Sequence, residues 1–192
     1  MPEPHDRPIL NLKGERVAFG PIRRALLPLY ERWMNDFTVI ETLGVGVRPM
    51  TSESEAAWFE QAATNSTSVT YTVYELAGLR PIGTVSLRDI DHANRTATFG
   101  ILIGEREEWG KGYGTETTRL MLDYAFSVLG LNNVMLTVFS QNERGLRAYR
   151  RAGFREIGRR RQARRHGREL EDVVLMDCLS AEFERPHATW NV

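Results

Sequence analysis

The chain has 192 residues, is 42% hydrophobic and 26% charged, and balances 25 acids against 25 bases. That suits one domain with a sizeable core and gives no global attraction to nucleic acid or to a membrane surface. A lone cysteine, Cys178, excludes an intramolecular disulfide framework, and no run approaches the roughly 18 apolar residues of a membrane span.

Residues 1–8, with Pro2, Pro4 and Pro8 among charges, read as a disordered tail without the layout of a signal peptide. The expected location is cytoplasmic. The domain is expected over 9–180, with 181–192 as a second tail. Leu10 to Leu12 and Val17 to Phe19 read as a strand or small hairpin around Lys13-Gly14. Arg23 to Asn35 reads as a helix with Ala25, Leu26, Leu29, Trp33 and Met34 inward, bent or divided by Pro28. Gly44 through Pro49 is a loop. Ser52-x-x-Glu55 is a capping-box pattern that opens a helix to about Ala63.

Three strands follow: Val69 to Leu76, Pro81 to Leu87 after an Ala77-Gly78 turn, and Thr96 to Ile103. A helix from Thr115 to Leu129 carries Leu120, Met121, Tyr124, Ala125, Val128 and Leu129 on one face and ends at Gly130. Val134 to Phe139 is a strand. Glu143 to Arg151 is a helix, with Asn142 able to cap it and Gly153 ending it. Phe154 to Gly158 and Leu170 to Leu179 read as a last strand pair bracketing an arginine-rich turn. The order is β, α, α, β, β, β, α, β, α, β, β. It predicts a single α/β (α+β) domain with a mixed central sheet flanked by helices.

The most informative segment is Trp109-Gly110-Lys111-Gly112-Tyr113-Gly114-Thr115, set between the third strand and a helix start. Glycines let several backbone N–H groups converge without Cβ obstruction. The first-turn N–H groups of a helix have no partners within it, and its dipole favours an anion there. A diphosphate is the natural guest. A phosphate loop of the Gly-x-x-x-x-Gly-Lys-Ser/Thr kind does not fit, because Lys111 is followed by Gly112. A dinucleotide fingerprint does not fit either, because the strand ending at Phe139 is followed by Ser140-Gln141 with no ribose-binding carboxylate. Eleven arginines lie between Arg144 and Arg168, with Glu143 and Glu156 the acids nearby. The distal ones read as a solvated face near a hairpin.

These residues carry a family resemblance. The glycine segment is similar to the pyrophosphate loop of the GNAT N-acetyltransferase superfamily, Gln/Arg-x-x-Gly-x-Gly/Ala. Asn142 to Phe154, with Tyr149 and Gly153 inside, resembles its second signature, Asn-x-x-Ala-x-x-x-Tyr-x-x-x-Gly-Phe. Gly167 to Met176 resembles the closing strand of the RimJ/RimL-type branch, which is close to the spermidine N-acetyltransferases. The resemblance is strong over 68–180 and fainter over 9–67. It implies a sheet splayed around a cofactor cleft between the Thr96–Ile103 and Val134–Phe139 strands. It implies acetyl-CoA as co-substrate and a primary amine as acceptor: a protein N-terminus, a polyamine or an aminoglycoside. No metal, nucleic acid or membrane is implied, and a homodimer is left open.

By the same resemblance the backbone of Ile101 and Ile103 pairs with the pantetheine arm. N–H groups from Gly110 through Thr115, with Lys111, Gly112, Tyr113 and Gly114 between, bind the diphosphate. Lys111 and Arg144 or Arg147 add charge near the phosphates, and Asn142 meets the arm. Two positions depart from the pattern. Trp109 replaces the usual Gln/Arg, and Thr98 stands where the branch often has a glutamate.

Tyr149 lies two helical turns after Asn142 and so on the same face. A phenol held against the thioester suits protonation of the departing thiolate. Its alternative is a core tyrosine. Glu75, Asp89, Asp91, His92 and Glu108 are candidate bases, each more readily read as surface charge. Cys178 reads as a buried core thiol, so direct attack by the amine in a ternary complex is expected rather than an acyl-enzyme. The rival readings are a non-catalytic acyl-CoA-binding module on the same fold, and a nucleic-acid module built on the arginines.

Overall fold

The structure is a computed structural model that describes residues 7–44 and 48–185. The expected tail thus falls mostly outside the described residues, as do Val45 to Val47 of the expected loop. Eight strands form one sheet: β1 (Leu12–Lys13), β2 (Val17–Pro21), β3 (Val69–Glu75), β4 (Arg80–Asp91), β5 (Thr96–Ile103), β6 (Asn133–Phe139), β7 (Arg155–His166) and β8 (Glu169–Leu179). Their order is β1-β2-β3-β4-β5-β6-β8-β7. Only β5 and β6 run parallel, and they pair just from Thr96↔Asn133 to Thr98↔Met135. Beyond that point β6 turns to β8, paired along its whole length, while β5 stays with β4. The sheet is therefore split, as expected.

The helices are α1 (Leu27–Asn35), α2 (Phe37–Ile40), α3 (Ser52–Thr64), α4 (Tyr113–Asp123) and α5 (Glu143–Ala152). Strand alternation sends Val73, Val85, Leu87, Phe99, Val134 and Leu136 to one face, where they share a core with Leu120, Met121 and Leu146 of α4 and α5. On the other face Tyr30 of α1 reaches Thr72 of β3 through an Oη–Oγ1 hydrogen bond of 2.5 Å. Cys178 is buried in the core, and burial pushes its thiol up to about 11, which leaves it inert at neutral pH.

Several boundaries differ from expectation for local reasons. Pro28 begins α1 instead of bending it, at the position where a missing N–H costs nothing. The cap of α3 is Thr51, whose Oγ1 accepts from the Ser54 N–H at 3.2 Å, one residue before the predicted box. The arginine-rich segment is strand rather than turn: β7 runs to His166, and only the Gly167 bend reverses the chain. Three of its arginines are spent on Glu156, Glu171 and Glu182. Helix α4 passes into a π-helical turn at Tyr124–Val128, which carries Val128 to the surface from the predicted inward face. Past β8, Phe183 packs edge-on against Phe126 with ring centroids 5.4 Å apart, so the packed unit reaches at least that residue.

Glu55 of α3 was freed from the predicted capping role and lies only 3% exposed. Burial pushes its carboxyl up to about 7, and the charge of Glu31 adds to this. A raised pKa means that the folded state holds its proton more tightly than the unfolded chain. The benefit is complete below the ordinary value of 4.5 and is lost as pH rises from there to 7. Glu55→Gln should therefore stabilise the fold at pH 8, by up to about 3 kcal/mol, and do nothing at pH 4. Thermal unfolding at the two pH values measures this.

Candidate active site

The split between β5 and β6 opens a cleft of about 330 Å³. Its walls are β5, the glycine loop, the first turn of α4, one face of α5 and the end of α2. Ile101, Ile103, Trp109, Gly110, Gly112, Tyr113, Gly114, Thr115, Asn142, Arg144, Arg147 and Tyr149 all line it.

The backbone of β5 presents itself to the gap by simple alternation. Gly104 N–H donates to Ile82 O at 2.9 Å, toward β4. Residues an even number away face the same strand, so the N–H and C=O of Ile101 and Ile103 face the split. One of these groups is taken. The Trp109 indole N–H donates to Ile103 O at 2.7 Å. This is what Trp109 does in place of the expected amide or cation: it locks the loop to the strand end. Its ring also carries the Arg144 guanidinium, 3.6 Å from the centroid, and so holds a cation over the cleft.

Gly110 and Gly112 take φ of +78° and +89°, conformations that glycine alone enters freely. Gly112 is the N-cap of α4. The N–H groups of Tyr113, Gly114 and Thr115 thus open the helix without intrahelical acceptors. A Cβ on Gly114 would point toward Ile103, 4.0 Å from its Cγ1, across the cleft. The cradle fits a diphosphate: converging donors, a helix N-terminus, and Arg144, Arg147 and Arg151 on the facing helix.

Lys111 departs from expectation. It does not line the cleft, because Glu108, 5% exposed, holds its Nζ at 2.9 Å. Arg80 Nη2 donates to the other Glu108 oxygen at 2.7 Å, and Arg80 Nε to Glu75 at 3.1 Å. Lys111 and Arg80 hold the Glu108 carboxyl below the usual carboxylate range. Glu75 and Glu108 are therefore buried partners of cations, neither surface charges nor bases. Lys111→Met should change acetyl-CoA affinity by less than about threefold, since only a charge outside the cleft is lost, while lowering the melting temperature. Calorimetry and thermal unfolding check the two halves. Asp91 is spent on the Asn94 turn, and neither it, Asp89 nor His92 lines the cleft.

Asn142 caps α5: its Oδ1 accepts from Gly145 N–H at 2.9 Å, leaving Nδ2 for a ligand. Tyr149 is half-buried, edge-on to Phe99 at 6.1 Å and Phe154 at 6.0 Å. Its hydroxyl has no hydrogen-bond partner among the described residues. Burial pushes the phenol up to about 12, with Arg144 pulling it back. It stays protonated and faces the cleft. Sequence reasoning missed Val39, Thr42 and Leu43, which close one wall. Val39 lies on the four-residue α2 and the other two in the turn after it, a segment too short to show a period. Arg151 and Ala148 were findable, since they follow Arg144 by seven and four residues on α5. No cluster of three potential metal ligands occurs among the described residues.

The cleft is thus a split in a mixed sheet, with a helix N-terminus at its mouth and the Tyr113 and Tyr149 phenols in its wall. The chain belongs to the GNAT family: a model of the acetyltransferase (GNAT) domain matches residues 16–155. It is 42% identical to spermidine N(1)-acetyltransferase of Escherichia coli K12 over 72 residues, 38% of each protein. It is 32% identical to spermidine N(1)-acetyltransferase of Vibrio cholerae over 111 residues, 58% of this chain and 64% of that one. The alignments thus span less than two thirds of these relatives. In fold the chain is similar to spermidine N-acetyltransferase from Vibrio cholerae in complex with CoA and spermine, with a TM-score of 0.81 at 22% identity. That match covers 88% of this chain and 98% of the other. A GNAT-family acetyltransferase from Bacillus anthracis matches at 0.77 and 19% identity, over 89% and 99%.

Proposed function

We propose that the protein transfers an acetyl group from acetyl-CoA to a primary amine by direct attack within a ternary complex. The observation that carries this reading is the split itself, with donor groups of β5 along one side, the α4 N-terminus at its mouth and the Tyr149 hydroxyl in its wall. The bound thioester supplies an activated acyl carbon. Gly110 to Thr115, Arg144 and Arg147 hold the diphosphate, and Ile101, Ile103 and Asn142 guide the arm. The amine nitrogen forms the new C–N bond as the C–S bond breaks, and Tyr149 gives its proton to the leaving sulfur. Among the described residues the cleft offers no imidazole, and its one carboxylate, Glu108, is paired twice. The proton of the attacking amine therefore leaves to water. The free Tyr149 hydroxyl disfavours the non-catalytic alternative, which would have no use for it.

No helix among the described residues is long and apolar enough to cross a membrane. The reading places the enzyme in the cytoplasm, where acetyl-CoA is at hand. The test is release of free CoA thiol with N-terminal peptides, polyamines and aminoglycosides. Binding of acetyl-CoA without release with any of them would favour the sensor module.

A further inference from the structure

On the sheet face away from α4 and α5, one row of side chains crosses the foot of the split. Register sets Arg88 of β4 opposite Thr98 of β5, Thr98 beside Met135 of β6, and Met135 opposite Asp177 of β8. Thr98 and Met135 form the last pair before the strands part. The Arg88 guanidinium lies over Gly100, where an added Cβ would be 3.5 Å from Nη2 and 3.1 Å from Ser86 Oγ. Gly100 adjoins Ile101, which lines the cleft. The floor here is small and polar: Ser86, Thr98 and Gly100.

Arg88 is exposed and has no ion pair or side-chain hydrogen bond among the described residues. Five N–H donors therefore stand free at the foot of the split, beside Gly100, the chain neighbour of cleft-lining Ile101. Nearby acids do not neutralise it. Asp89 sits in the adjoining bulge at φ 51° without pairing to it, and Asp91 is bound to Asn94. Asp177 accepts from Asn133 Nδ2 at 2.8 Å and lies three strand spacings away, about 14 Å. The cleft adds only cations, Arg144, Arg147 and Arg151, beside the neutralised Glu108. A polycationic acceptor would meet the like charge of Arg88, Arg144, Arg147 and Arg151, set against the unpaired carboxylates of Asp89 and Glu41.

We infer that the acceptor carries an acidic group within a residue or two of the reacting amine, and that Arg88 reads it by a forked carboxylate contact. This rests on the acetyltransferase reading. A guanidinium–carboxylate fork is bidentate and directional, which gives charge selection at the entry. An acidic peptide N-terminus and a free acidic amino acid share this chemistry.

The experiment measures kcat/KM for Ser-Asp-Asp, Ser-Ala-Ala and Ser-Lys-Lys peptides, free aspartate and spermidine, with acetyl-CoA saturating. The expected result is at least tenfold preference for the acidic peptide over the lysine peptide, falling to near parity in Arg88→Gln and reversing in Arg88→Glu. Arg88→Lys should keep the sign of the preference. Acetyl-CoA affinity should not move in any variant, which separates charge reading from damage to the fold. Aspartate outpacing the peptides would assign the same site to a small amino acid. Spermidine or the lysine peptide matching the acidic peptide would overturn the inference and leave the transferase standing. Acetyl-CoA bound but turned over with none of the five would overturn both.

Discussion

Tyr149→Phe should fold, bind acetyl-CoA like the parent and lose about 10²–10⁴-fold in kcat, the range for a missing general acid. The ring is fixed by edge contacts to Phe99 and Phe154, which phenylalanine keeps. The hydroxyl has no structural partner among the described residues, so its removal orphans nothing. A loss in kcat with affinity intact would place the group in the transition state. The measurement pairs steady-state transfer with calorimetry on acetyl-CoA. An unchanged kcat, with chemistry shown to limit the rate, would make Tyr149 a packing residue and leave water as the proton source. The high pKa, about 12, also predicts no loss of activity from this group between pH 7 and 10, because the phenol remains protonated there.

Gly112→Val should abolish acetyl-CoA binding in a protein that still folds. The reason is conformational. Gly112 caps α4 at φ +89°, a region that a β-branched residue avoids at a cost of order 1–3 kcal/mol. A Cβ there would also meet Arg16 Nη2 at 2.9 Å, while Arg16 Nη1 holds Lys111 O at 2.9 Å. The turn must reshape, and the N–H groups of Tyr113 to Thr115 lose their common aim. Acetyl-CoA normally raises the melting temperature by mass action, so the shift should vanish with the affinity. A folded variant with parental affinity would remove the diphosphate role from this loop.

The glycine loop was legible because its chemistry is written in backbone freedom, which only glycine confers and which neighbouring structure does not override. The Asn142-to-Tyr149 spacing was legible because a helix turns seven residues into one face. The core strands of β3 to β6 showed their alternation. Other features depend on partners distant in sequence. Nothing near Lys111 says that Glu108 is buried or that Arg80, from another hairpin, neutralises it. Trp109 could be seen as a departure, but its bond to Ile103 O is a tertiary fact. The arginines of β7 looked like a turn because charge is usually found at bends, whereas here an edge strand leaves both its faces in water.

The chain of charges from Glu75 through Arg80 and Glu108 to Lys111 joins two places that share no substrate. Glu75 also accepts the Gly78 N–H at 3.0 Å, so it organises the β3–β4 bend as well. That bend is in effect a buttress for the cofactor loop. An epitope tag or fluorophore inserted between Ala77 and Arg80 would look harmless, far from the chemistry and on the surface. It would nonetheless loosen Glu108, and the fault would register as a lowered melting temperature, the same loss expected of Lys111→Met. Gly44, by contrast, lies beside the Phe139 ring, away from that brace, and a label near it would report on the opposite wall.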